Sequence, residues 1–198
     1  QRNWAIPQIE TEWTLVLDSD EWLLPELVER IQRIIADDSS LNGYEVKRRT
    51  YFFGKIINHC GWHRDYNLRL FRTQKGRYNK KRNHERIEVQ GEVGYIHETM
   101  MHDTYRSFDE YMIALDRFST WGAEDMFEAG RPARIFDLTL RPVGRFIKMY
   151  FIRRGFMDGV HGLVLCGLAA CSVFLKYAKL WNLDRMREQG IEVKISRN

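Results

Sequence analysis

Asp18 and Asp20 stand at the end of the apolar run Trp13-Thr14-Leu15-Val16-Leu17. Two carboxylates one residue apart at a strand tip offer hard oxygen ligands held close together, which a divalent cation bridging a diphosphate requires, with positions left open for phosphate oxygens. The same acidic residues serve equally well as caps for a following helix. Glu85 is a second candidate, a carboxylate set among Lys80, Lys81, Arg82 and Arg86. Those charges keep it ionised and able to take a proton from a hydroxyl group, and its plainer role is that of a salt-bridge partner. Trp62 and Tyr66 offer ring faces that suit stacking on a sugar, although an aromatic in a strand of mixed character is commonly core. His84 can orient Glu85 or line an acceptor site, while His59, His63 and His97 take no assigned role.

The elements that must hold these groups can be read from the hydrophobic pattern. The continuous run at 13–17 predicts a central parallel strand delivering its acidic tip to the edge where α/β sheets place ligands. Pro25 opens a helix in which Leu27, Val28, Ile31, Ile34 and Ile35 recur at helical spacing, up to Asp37-Asp38-Ser39-Ser40. Between Gly43 and Tyr95 the texture is strand-like, with Tyr44 to Arg48, Asn67 to Phe71 and Ile87 to Val89 as candidates. Phe108 to Phe127 returns to helical spacing and Gly130-Arg131-Pro132 punctuates its end. A second helical block is expected beyond Arg141-Pro142, broken at Gly155 and running to about Trp181.

A chain of 198 residues with 44% hydrophobic and 13% aromatic residues has material for a proper core. Cys60, Cys166 and Cys171 are odd in number and form no paired motif, which excludes a disulfide framework or a cysteine zinc site and indicates a reducing, cytosolic setting. The net charge is only +4, yet the pI near 9.0 implies a basic face toward an anionic partner. No nucleic-acid motif accompanies it. The longest apolar run, Gly162 to Leu175, falls short of the roughly 18 to 20 residues of a spanning helix, so attachment at a membrane surface is expected in place of a membrane span.

Several segments in serial order then carry a resemblance. Gln1-Arg2-Asn3-Trp4-Ala5 followed by WTLVLDSDEWL (13–23) resembles the part of family 2 glycosyltransferases, of GT-A fold, in which an Arg-Asn helix precedes the strand and its Asp-x-Asp motif. GWHRDYNLRLFR (61–72), NHERIEVQGEVG (83–94), HDTYRSFDEYM (102–112) and IRRGFMDGVHGL (152–163) look like the lipopolysaccharide core, β-1,4-glucosyltransferase-like subgroup. The resemblance implies an α/β, Rossmann-like fold. It also implies inverting, metal-dependent transfer of a hexose, glucose from UDP-glucose, to a lipid-linked saccharide acceptor.

Carried over residue by residue, it places Asp18 and Asp20 on Mn²⁺ or Mg²⁺ and the diphosphate, Arg2 near the donor phosphates, His102 as a further metal ligand, and Glu85 as the catalytic base. Trp62, Tyr66 and His84 fall on the acceptor side. The family's opening βα units, with the acidic residues that grip uracil, have no counterpart here. The natural protein is therefore expected to begin earlier than Gln1, and the chain by itself to hold UDP-sugars poorly.

Residues 1–140 are expected to form the later part of the catalytic domain, and 141–198 a helical extension. Arg141, Arg145, Lys148, Arg153 and Arg154, with no acidic residue between Arg141 and Met157, adjoin an apolar helix rimmed by Lys176, Tyr177, Lys179 and Trp181. That combination suits an anionic membrane surface at the inner face of a bacterial inner membrane. A buried helix packing on another part of the protein is the alternative. The rival functions are a family 2 transferase for capsule or exopolysaccharide, and a noncatalytic membrane- or carbohydrate-binding module that keeps the fold.

Overall fold

The computed structural model describes residues 2–37, 40–79, 86–193 and 195. Packing divides it into two units, the first formed by Gln1–Ile56 with Trp62–Thr104 and the second by Ile57–Gly61 with Tyr105–Asn198. The α/β character expected from the sequence is present, since the first unit is built on a sheet and the second on helices.

The short helix α1 (Arg2–Ala5) is followed by strands β1 (Trp13–Leu15) and β2 (Glu21–Leu23) and by helix α2 (Pro25–Ala36). Six further strands follow: β3 (Gly43–Phe52), β4 (Lys55–Ile56), β5 (Tyr66–Arg72), β6 (Gly76–Tyr78), β7 (Ile87–Val89) and β8 (Val93–Tyr105). The main sheet runs β1-β5-β3-β8-β2 with β4 folded back on β3, and β6-β7 form a separate ribbon. β3 and β4 are joined through Phe53 and Gly54 alone, at φ 50° and 77°. Positive φ at both loop positions is what a two-residue hairpin turn demands.

Pro25 stands in the first turn of α2, where its missing N–H costs nothing, and Glu26 and Arg33 sit at the ends that suit the helix dipole. Leu27, Ile31 and Ile34 face the sheet and form one core with Trp13, Tyr44, Val46, Leu70, Ile96 and Met100. Val28 and Ile35, read as part of the same stripe, lie at its exposed margin.

The expectation for residues 13–17 needs correction. β1 is a three-residue strand at the end of the sheet order, antiparallel to β5 with Trp13 opposite Arg72 and Leu15 opposite Leu70. Its apolar character comes from burial of Trp13 and Thr14, with the Arg72 guanidinium 4.8 Å from the Trp13 ring centroid. Among the described residues no strand pairs its other edge.

In the second unit, α3 (Phe108–Glu128) is capped by Ser107, whose Oγ accepts from Glu110 N at 3.2 Å. Then come α4 (Ile135–Ile147), a π-helical turn over Lys148–Ile152, and α5 (Gly159–Glu188). Pro142 lies inside α4, so the second helical block begins six residues before Arg141. Ala123 of α3 shares a core with Tyr177 and Leu180 of α5, and Lys179 Nζ donates to Asp116 Oδ1 at 2.7 Å. By packing, the helical unit takes in the chain from Tyr105 onward.

The stretch Gly155–Glu188 is 34 residues long and, by length and composition only, apolar enough to cross a membrane. The uninterrupted run at 162–175 understated it because Lys176 and Lys179 lie within the same helix.

Replacing Leu27, fully buried between α2 and the sheet, by Ala is expected to cost about 2–5 kcal/mol in urea unfolding. Val28→Ala on the exposed side of the same turn should stay within about 0.5 kcal/mol.

Candidate functional site

The acidic segment turns between β1 and β2. Glu21 N donates to Asp18 O at 3.0 Å, and the Glu21 side chain reaches back to accept from Asp18 N at 3.1 Å. The Glu21 carboxylate has no exposed side-chain surface. It also accepts from Arg48 Nη1 at 3.1 Å and from Arg69 Nη2.

Arg69 belongs to β5 and alternates with Leu70, which enters the α2 core, so its guanidinium leaves on the other face. There its Nη2 also donates to Asp18 Oδ2 at 2.7 Å, while Nε has no hydrogen-bond partner among the described residues. Arg48 of β3 continues the network to Asp65 at 2.7 Å.

Asp20 faces a different neighbour. Glu21 of β2 lies opposite His102 of β8, and Asp103 N donates to Asp20 O at 3.0 Å. That register brings His102 Nε2 to 3.3 Å from Asp20 Oδ2. The other ring nitrogen, Nδ1, lies 3.3 Å from the Thr50 hydroxyl. Burial, followed by the positive charge of Arg48, holds the imidazole below its ordinary pKa, which favours the neutral, ligating form.

A polar cavity of about 390 Å³ opens beside Asp18, walled by Arg48, Asp65, Tyr66, Arg69 and Arg86 among others. Tyr66 lines this cavity, and its hydroxyl is 3.0 Å from His97 Nδ1. Trp62 is not among the cavity's lining residues and sets its ring edge against Phe52, centroids 6.2 Å apart. His84, Glu85 and the Arg2 side chain lie outside the described residues. Arg86, the next residue after Glu85, lines the cavity.

The structure thus brings Asp20 and His102 together and leaves Asp18 in an ion pair with Arg69. Among the described residues no three metal-ligating side chains converge on one point. The fit to a divalent cation is that of two protein ligands, Asp20 Oδ2 and His102 Nε2, one hard and one imidazole, with the remaining positions free for phosphate and water. Glu21, Arg48 and Arg69 were not singled out from the sequence. The available signal was an arginine inside the alternating strand 66–72, since a charge on a sheet face of this kind must be answered by a carboxylate.

No family model matches the chain. It is 29% identical over 189 residues to the lipopolysaccharide core biosynthesis glycosyltransferase LpsC of Rhizobium meliloti, spanning 94% of this chain and 70% of that protein. It is 24% identical over 210 residues to an uncharacterized glycosyltransferase of Rickettsia conorii, spanning 98% and 71%. A third relative, from Rickettsia felis, is 25% identical over 196 residues, spanning 91% and 68%, and is also named an uncharacterized glycosyltransferase.

Glu21→Ala removes the one carboxylate that both arginines share and leaves two partly desolvated guanidinium groups short of charge. A loss of about 3–5 kcal/mol is expected in denaturant unfolding, with the Asp18 amide losing protection in hydrogen exchange.

Proposed function

We propose that this chain, a homologue of glycosyltransferases that include a lipopolysaccharide core enzyme, moves a hexose from a nucleotide-sugar donor to a surface-glycan saccharide with inversion at the anomeric carbon. The observation that carries this reading is the acidic turn opening onto a polar cavity that Arg86, the residue after Glu85 in the sequence, also lines. Its likeness to the named glycosyltransferases over most of the chain supports the same reading. The fold we infer for the first unit is GT-A, the donor UDP-glucose, and the acceptor a lipid-linked saccharide of the lipopolysaccharide core. The acceptor is met at the anionic inner face of the bacterial inner membrane.

Asp20 and His102, with Asp18 beside them, would hold Mn²⁺ or Mg²⁺, which would supply charge neutralisation at the donor diphosphate. Arg2 assists at the phosphates. The work left to the chain's own residues is positioning and proton transfer. Tyr66 offers its ring to the acceptor sugar, with Trp62 and His84 as further acceptor-side residues. Glu85 takes the proton of the attacking hydroxyl, and Arg86 beside it favours the charged carboxylate. Thr50 fixes the His102 ring so that Nε2 faces Asp20. The rival reading, a noncatalytic module, draws on the Asp18–Arg69 ion pair, which satisfies the motif without any cation.

Two measurements decide between them. Asp20→Ala in the full-length protein should abolish the metal-dependent part of UDP-sugar binding in calorimetry, and unchanged metal-dependent affinity in that variant would remove Asp20 from the site.

Glu85→Gln keeps size and hydrogen bonding but not the proton acceptor, so transfer should slow by about 10²- to 10⁴-fold with donor affinity little changed. Transfer within a few-fold of the unaltered protein excludes Glu85 as the base. The absence of both transfer and metal-dependent donor binding in the full-length protein favours the module.

A further inference from the structure

The second unit carries an apolar helix face that its own packing leaves uncovered. Phe136, Leu140, Val143, Ile147 and Phe151 follow one another at steps of four, three, four and four along α4 and the π-helical turn, and each is 45–65% exposed. Those steps place all five on one side of the helix. The opposite side holds Asp137 and Met149, both buried, with Leu138 packed against the core formed by α3 and α5.

Arg141 lies over the Tyr177 ring of α5, its guanidinium carbon 5.2 Å from the centroid, and Arg145 follows it one turn on, while Lys148, Arg153 and Arg154 are exposed toward the end of the apolar row. The only acidic residue of α4, Asp137, is already bonded to Arg141. The face therefore combines an uncovered apolar stripe with positive charge that carries almost no local counter-charge.

We infer that the segment Ile135–Ile152 lies flat in the surface of an anionic bilayer. Its five apolar side chains enter the acyl boundary, and Lys148, Arg153 and Arg154 engage lipid phosphates. The occupant is a lipid surface because both layers of the face are matched by one partner, acyl chains beneath a sheet of phosphate. A protein groove would have to supply an apolar floor and a row of carboxylates together. The inference rests on the membrane part of the proposed function and narrows it. The seat is α4, with the long apolar α5 as its support, not as the inserted element.

The test is flotation of the full chain with vesicles of phosphatidylethanolamine and phosphatidylglycerol, compared with phosphatidylcholine. The unaltered protein should float with the anionic vesicles and be released by salt or alkaline carbonate. Leu140→Glu combined with Ile147→Glu should lower recovery at least tenfold while circular dichroism and thermal unfolding stay unchanged. Lys148→Glu with Arg154→Glu, which leaves the apolar row intact, should abolish the preference for anionic lipid. Phe174→Glu with Trp181→Glu, two exposed positions of α5, should bind as the unaltered protein does.

Loss of flotation in the α5 variant with retention in the α4 variant overturns the inference, and so does resistance to carbonate, which marks a spanning α5. A dimer in light scattering that the Leu140 and Ile147 changes dissociate, without vesicle binding, assigns the face to a second copy of the chain and also overturns it. If the unaltered protein fails to float at all, this inference and the membrane part of the proposed function fall together. Metal-dependent UDP-sugar binding measured on the full-length protein then reports separately on the transferase reading.

Discussion

A carboxylate with no access to solvent must be surrounded by donors, and Glu21 is the point from which the first unit's chemistry is organised. Its oxygens hold the Asp18 amide, Arg48 and Arg69, so one side chain ties the β1–β2 turn to β3 and β5. Burying a charge of this kind is costly unless every lone pair is answered. The consequence is a turn whose shape is set before any ligand arrives. Asp18 and Asp20 are separated by one residue, yet the turn sends them to different partners, Arg69 for one and His102 for the other.

The electrostatics follow from that separation. Acidic and basic groups alternate around the cavity, with Asp18, Glu45 and Asp65 set against Arg48, Arg69 and Arg86, so the resting wall is close to balanced. Adding a divalent cation at the turn would swing that balance positive and make the wall receptive to phosphate. The neutral His102 suits the same change, since a protonated imidazole beside a cation would repel it. Thr50, buried on β3, is thereby connected to the acidic turn through one ring and two hydrogen-bonding distances.

How much of this could be read in the sequence depends on how local each signal is. Helix α2 and strands β3 and β5 were legible because their side chains repeat at 3.6 or 2 residues, and the repeat reports burial within the element itself. The position of β1 was not. A short apolar run says that side chains are covered but is silent on which strand lies alongside. The start of α4 was obscured by Pro142, which reads as punctuation even though the helix runs through it. Glu21 and Arg69 are 48 residues apart, and only the antiparallel return of β5 brings them together. Asp18, Asp20 and Tyr66 stand out in the sequence because their residue types announce chemistry. Glu21, Arg48 and Arg69 join Asp18 only through pairings between strands distant in sequence.

Asp158 shows why one short stretch of chain packs away from its sequence neighbours. Its carboxylate, 3% exposed, accepts from the Asn58 and His59 amides at 3.2 and 2.8 Å and approaches His59 Nδ1 at 3.1 Å. Five residues from the middle of the first unit's sequence, Ile57–Gly61, thus belong by packing to the second. The polypeptide passes between units at 56/57, at 61/62 and again at 104/105. A fragment ending at Thr104 would keep this strap but lose the buried carboxylate that answers its amides, and a fragment beginning at Tyr105 would keep the carboxylate with nothing to receive. The two units are therefore not modules in the evolutionary or engineering sense. Recombination that exchanges the helical unit must carry a five-residue graft in the other one.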